Sequence, residues 1–217
     1  MTALRILVVD DHAVVRRGVR SLLESHEGWE VCGEATTGRD AVAQSLRLRP
    51  DVVVMDLSLP ELNGLDATRQ ILKDSPRTEI LVLTMHHSEE LARDVLQAGA
   101  RGYVLKSDAD ESLIAAVESL RQHKPFLASR VTEFVLDDYL RRTDTRDDGV
   151  AHDAVTARER EIMQLLAEGK SNKEAASTLG ISVKTIEAHR ANIMRKLRLR
   201  SVSDLVRYAI RNRIAQP

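Results

Sequence analysis

Five short runs of β-branched and aliphatic residues alternate with five longer segments of helical period in the front of this chain, and no other feature narrows the fold as much. The runs lie at residues 5–9, 30–34, 52–55, 80–83 and 102–105; the helical segments lie at 13–25, 39–47, 65–73, 89–97 and 109–121. Several runs, Val52-Val53-Val54 among them, are apolar at every position instead of alternate ones, which marks strands covered on both faces. Strand, helix and next strand close as a right-handed crossover. Five such units with short connections therefore specify a parallel, doubly wound α/β sheet of five strands. Ligands of such sheets bind beyond the carboxyl ends of the strands, where the strand order reverses.

The rest of the chain is patterned differently. Residues 126–142 carry Val131, Phe134, Val135, Leu136 and Leu140 at helical spacing, which predicts one further helix, and 143–153 (TDTRDDGVAHD) reads as a polar linker. From Thr156 onwards strand signals vanish. Thr156 and Glu159 form a capping box ahead of Ile162, Leu165 and Leu166, and Gly169 closes that helix. A second helix covers 172–179, and Gly180 makes the turn. Ser182 then caps a third helix with Ile186, Ile193 and Leu197 at helical spacing, and 203–213 form a fourth around Leu205, Val206, Ala209 and Ile210. A helix-turn-helix within an all-α four-helix domain is the economical reading. The expected division is 1–124, a linker with a helix at 125–152, and 153–217.

Charge sharpens that division. The chain as a whole is balanced at −1, yet residues 1–124 hold 15 Lys+Arg against 20 Asp+Glu, 125–152 hold 4 against 6, and 153–217 hold 13 against 7. An acidic front joined to a basic tail is the layout of a regulatory module attached to a nucleic-acid binder. The single cysteine, Cys32, excludes an internal disulfide framework and a cysteine-based zinc cluster. No apolar run approaches the ~18 residues of a membrane span, and the N-terminus lacks the apolar core of a signal peptide, so a cytoplasmic location without membrane association is expected.

At the strand ends, side chains capable of chemistry converge. Asp10 and Asp11 end the first strand, Asp56 the third and Thr84 the fourth, and Lys106 follows the fifth. Parallel strands place all five on one rim. Acidic residues at strand ends often only start loops, but this set is larger than loop initiation needs. Three carboxylates in one place repel unless a cation neutralises them; a divalent oxygen-liganded ion, Mg2+ or Mn2+, together with Lys106 supplies three positive charges. A carboxylate beside such an ion can attack phosphorus, with Lys106 and the Thr84 hydroxyl stabilising phosphoryl oxygens.

The segments LVVDD (7–11), VVVMDLSLPELNGLD (52–66), LVLT (81–84) and GYVLK (102–106) resemble the receiver domain of two-component response regulators. VTARERE (155–161), SNKEAASTLGIS (171–182) and KTIEAHRANIMRKL (184–197) resemble the LuxR-type helix-turn-helix, so the whole resembles a response regulator of the NarL/FixJ type. That resemblance implies a flavodoxin-like receiver, with Asp56 as phosphoacceptor and Thr84 and Lys106 as phosphoryl contacts. It implies Asp10, Asp11, Asp56 and the backbone carbonyl of Ser58 as metal ligands, and Tyr103 as an aromatic switch that swings inward when Thr84 moves. It also implies a sensor histidine kinase as phosphodonor, homodimerisation on activation, promoter DNA and RNA polymerase as partners, and no enzymatic activity beyond the receiver's own phosphotransfer and dephosphorylation. Where many family receivers carry proline after the lysine, this chain has Ser107. Ser58 and His86 stand two residues beyond Asp56 and Thr84 and are expected to influence phosphoryl lifetime; the neighbouring His86 and His87 read as a solvated pair.

On the third helix of the tail, the face opposite Ile186 and Ile193 carries Lys184, Glu187, Ala188, Ala191 and Arg195, the candidates for the major groove. Glu187 can accept from a cytosine amino group, the alanines can touch thymine methyls, and Lys184 or Arg195 can reach guanine or phosphate. Asn172, Lys173, Thr185, Arg190, Asn192 and Lys196 lie on the flanks as candidate phosphate contacts, and His189 reads as a partly buried scaffold residue. A haloacid-dehalogenase-type phosphatase would need Asp-x-Asp after the first strand, and a flavodoxin-type flavin binder a Ser/Thr/Gly-rich loop there. DDHAVVRRG offers neither. A regulator that works without phosphorylation is the remaining rival, and the intact acid pocket speaks against it.

Overall fold

The computed structural model describes residues 3–85, 88–127 and 155–216. They form two compact units, each with its own core.

In the first unit, β1 (Leu4–Val9), β2 (Trp29–Ala35), β3 (Val52–Met55), β4 (Glu79–Thr84) and β5 (Gly102–Leu105) alternate with α1 (Ala13–Glu24), α2 (Gly38–Leu48), α3 (Gly64–Asp74), α4 (Glu89–Gln97) and α5 (Ala109–Arg121). All strand pairs are parallel, in the order β2-β1-β3-β4-β5 with a further strand beyond β5. The chain runs from β1 outward to β2, then returns to the other side of β1 for β3, so the order reverses between β1 and β3. Ile6, Val8, Val52, Val54, Leu81, Leu83 and Val104 pack with Val19 and Leu23 of α1 and with Leu113, Ala116, Val117 and Leu120 of α5. The alternate residues Leu7, Val9, Val53, Met55, Ile80 and Val82 are buried too, which accounts for the unbroken apolar runs.

The sheet differs from expectation at one edge. Phe126–Leu127, expected to begin a helix, instead form a two-residue strand, β6, paired with Gly102 and Tyr103 of β5. The Phe126 amide donates to the Arg101 carbonyl at 2.9 Å. Pro125 just before it has no amide to continue a helical turn, and an open strand edge accepts the next extended segment. The sheet therefore has six strands instead of five among the described residues. The expected helix beyond Leu127 and the linker at 143–153 lie outside the described residues.

The second unit holds α6 (Ala157–Ala167), α7 (Asn172–Leu179), α8 (Val183–Lys196) and α9 (Val202–Arg211) around Ile162, Leu165, Ala175, Ile186, Ile193, Leu205 and Ala209. Thr156 and Glu159 form the expected capping box, and Ser171 with Glu174 forms a second. Ser182 caps α8 by accepting from the Thr185 amide. Gly180, at φ 64°, makes the left-handed turn into α8. The last helix starts a residue early because Ser201, not the residues after it, accepts from the Asp204 amide. No helix of the described residues is long and apolar enough to cross a membrane.

Candidate functional site

Strand register assembles the pocket. Val9 pairs with Met55, so Asp10 and Asp56, each the next residue, leave the sheet side by side. The Asp56 amide donates to the Val9 carbonyl at 2.9 Å. On the other flank Thr84 pairs with Leu105, and Lys106 follows. Lys106 Nζ bridges the two acids, 2.7 Å from Asp10 Oδ2 and 2.9 Å from Asp56 Oδ2. The remaining oxygens are also engaged: Asp10 Oδ1 accepts from the His12 amide and Asp56 Oδ1 from the Leu57 amide, each at 2.8 Å. Asp10, Asp56 and Thr84 are buried, whereas Asp11 stands exposed at the mouth.

The electrostatics follow from burial. Loss of water pushes the Asp56 carboxyl above its usual value; Lys106 pulls it back and the neighbouring charge of Asp10 pushes it up again, with the balance upward. Burial works against the Lys106 ammonium, but its bonds to Asp10 and Asp56 outweigh that and hold its pKa above the ordinary lysine value. One ammonium thus faces two buried carboxylates plus Asp11, and negative charge remains uncompensated. Ligand atoms of Asp10, Asp11, His12 and Asp56 all lie within 4.8 Å of one another. A mainly oxygen donor set with excess negative charge suits a hard divalent cation.

The loop after Asp56 is closed by a backbone contact. The Gly64 amide donates to the Leu57 carbonyl at 3.0 Å, and a Cβ on Gly64 would stand 1.9 Å from the Asp56 carbonyl oxygen. Ser58 is half-buried in that loop. Tyr103 follows Gly102 on β5, alternates with the core residue Val104 and is fully buried. No peptide bond among the described residues is cis, Lys106–Ser107 included. His86 and His87 lie outside the described residues.

Two neighbours of the pocket escaped the sequence reading. His12 Nδ1 lies 2.7 Å from Asp11 Oδ1. Arg16 donates through NH1 to the Asp10 carbonyl and through Nε to Glu34, both at 2.8 Å, tying the β1–α1 loop to β2. The helical spacing of Arg16 was legible, but its partner lies 18 residues away on a strand.

On α8, Lys184, Thr185, Glu187, Ala188, Ala191, Asn192 and Arg195 are exposed, as is Lys173 on α7. Ile186 and Ile193 are buried, and His189 is half-buried. Arg190 donates to Asn172 Oδ1 at 3.5 Å, and Arg195 to Asn192 Oδ1 at 3.1 Å. Lys196, expected on the flank, is exposed too and is bonded to Glu159 of α6.

Residues 6–118 match the response regulator receiver domain family, and residues 153–209 match the luxR family of bacterial regulatory proteins. The oxygen regulatory protein NreC of Staphylococcus epidermidis is 39% identical over 217 residues, covering 98% of this chain and all of that protein. Among solved structures, RcsB of Salmonella typhimurium superposes with a TM-score of 0.59 at 29% identity, covering 96% of this chain and 98% of that one. RcsB in complex with DNA, and as two dimers on two parallel DNAs, gives 0.59 at 28% identity over 95% of this chain and 98% of that one. With an acid-and-lysine rim at the strand ends of one unit and a capped, basic helix-turn-helix in the other, the chain belongs to the DNA-binding two-component response regulators of the NarL/FixJ type.

Proposed function

We propose that Asp56 accepts a phosphoryl group from a sensor histidine kinase and that this event governs promoter binding by the helical domain. An Asp56 oxygen attacks phosphorus, the phosphorus–nitrogen bond of the donor phosphohistidine breaks, and the departing imidazole takes up a proton. The observation that carries this reading is the position of Asp56: buried at the strand-order reversal, with one oxygen fixed by a backbone amide and the other by Lys106. Asp10, Asp11, Asp56 and the Ser58 carbonyl would hold Mg2+ or Mn2+. Such an ion neutralises charge on the carboxylates and on phosphoryl oxygens.

Lys106 exchanges its grip on the carboxylate for a phosphoryl oxygen, and Thr84 donates to another. Movement of Thr84 is coupled to Tyr103 in the neighbouring strand, which biases the receiver toward a dimer-competent population. The receiver catalyses only its own phosphotransfer and dephosphorylation. On the DNA side, Lys184, Glu187, Ala188, Ala191 and Arg195 face the major groove. Asn172, Lys173, Thr185, Arg190 and Asn192 hold phosphates on the flanks. One such helix reads only a few base pairs, so two copies on adjacent half-sites are required for useful affinity. The working location is the cytoplasm, where the kinase, promoter DNA and RNA polymerase are met.

The test is labelling of the full chain by a small phosphodonor such as acetyl phosphate. Wild type is labelled in Mg2+ or Mn2+ and not after chelation, and Asp56→Asn abolishes the label. Label retained elsewhere in Asp56→Asn overturns the assignment.

A further inference from the structure

Lys196 sits in the last turn of α8, and its charge is already engaged. Nζ lies 2.8 Å from each carboxylate oxygen of Glu159, 37 residues earlier at the third position of α6. Glu159 is buried, and Oε2 also accepts from the Thr156 amide at 2.9 Å and the Thr156 hydroxyl at 3.1 Å. Burial alone would raise this carboxyl, but Lys196 and then Thr156 hold it below its ordinary value. Each charge occupies the helix end that favours it, the cation at the carbonyl end of α8 and the carboxylate at the amide end of α6.

A phosphate contact that drew the ammonium away from the buried carboxylate would leave Glu159 without its counter-charge, a costly exchange.

We propose that Lys196 is a positioning residue, which with Glu159 forms a strut clamping the carbonyl end of α8 to the amide end of α6 and so fixing how α8 is presented to DNA. This rests on α8 being the reading helix. The counterion-release slope separates a strut from a phosphate contact, because removing a phosphate contact lowers the slope of log affinity against log salt by about 0.9 and removing a strut does not.

The experiment uses the full chain treated with acetyl phosphate in Mg2+ and a duplex selected by wild type so treated from a random-sequence pool, with affinity measured across a salt series. Lys196→Met and Glu159→Gln each weaken binding, on the order of tenfold, with the wild-type slope, and the double variant loses little more than either alone. Lys173→Gln, removing a flank cation, lowers the slope by about 0.9. A lowered slope for Lys196→Met overturns the strut, as does unchanged affinity. If Glu159→Gln fails to fold by circular dichroism, the half-exposed Lys196→Met decides alone. Should wild type select no duplex, the reading of α8 itself falls, a result distinct from failure of the strut.

Discussion

Gly64 and Gly18 show how differently the same missing methyl is used. Gly64 has no room for a side chain, since its Cβ would meet the Asp56 carbonyl oxygen at 1.9 Å and Leu57 Cα at 2.8 Å. Gly18, within α1, has nothing within 4 Å. Gly64→Ala therefore forces the Asp56 strand end and the following loop apart, costing about 1–3 kcal/mol as overpacking does. It slows acetyl phosphate labelling at least tenfold through misplacement of the carboxylate. Gly18→Ala stabilises by about 0.4–1 kcal/mol, because only the unfolded chain loses freedom, and leaves labelling intact. Trp29, the chain's only tryptophan and buried in the α1–α5 core, reports both unfolding transitions from the receiver alone. Equal midpoints for the two variants would contradict the close approach at Gly64.

At the scale of elements, the helical domain is built from capped helix starts, and their carboxylates give it a defined acid response. Glu159 is held below 4.5, burial being outweighed by Lys196 and Thr156, and Asp204 at the start of α9 is held at about 2 by Arg207, Ser201 and the Arg200 amide. A carboxylate with a depressed folded pKa contributes stability above its unfolded value, and that contribution is lost as pH falls through the folded one. Stability of α6–α9 therefore declines below pH 4.5 and continues to fall toward pH 2. Glu159→Gln and Asp204→Asn each flatten that decline, read from the amide NMR signals of α6–α9 in the full chain. An acid limb unchanged in Glu159→Gln would show that its charge is not preferentially stabilised in the fold. The capping box itself was legible, since Thr156 and Glu159 are three residues apart. The strut was not, because helical periodicity places Lys196 on a face but says nothing of a partner 37 residues away. The same limit explains β6. Two residues carry no period, and their pairing is decided by the free edge of β5. β3 and β4 were legible because every residue in them is buried, and burial on both faces writes itself into composition at each position.

At the scale of the whole molecule, charge alone gives the wrong sign for activation. The receiver carries an excess of acidic residues and the DNA-binding domain an excess of basic ones, and a phosphoryl group adds about −1.5 to −2 more. Added negative charge weakens attraction to a phosphate backbone, so any gain in DNA affinity on phosphorylation must come from a shift among conformations or from pairing of two copies. A tenfold gain corresponds to about 1.4 kcal/mol of differential stability between receiver states. The expected result is that acetyl phosphate tightens binding of the wild-type chain to its selected duplex by tenfold or more and steepens the dependence on protein concentration. Asp56→Asn keeps the basal affinity and salt slope but gains nothing from the phosphodonor. Lys184→Ala is labelled at the wild-type rate while its DNA affinity falls. If phosphorylation instead weakened binding, with a loss that shrank as salt rose, electrostatics would be acting directly and the population-shift mechanism would be wrong.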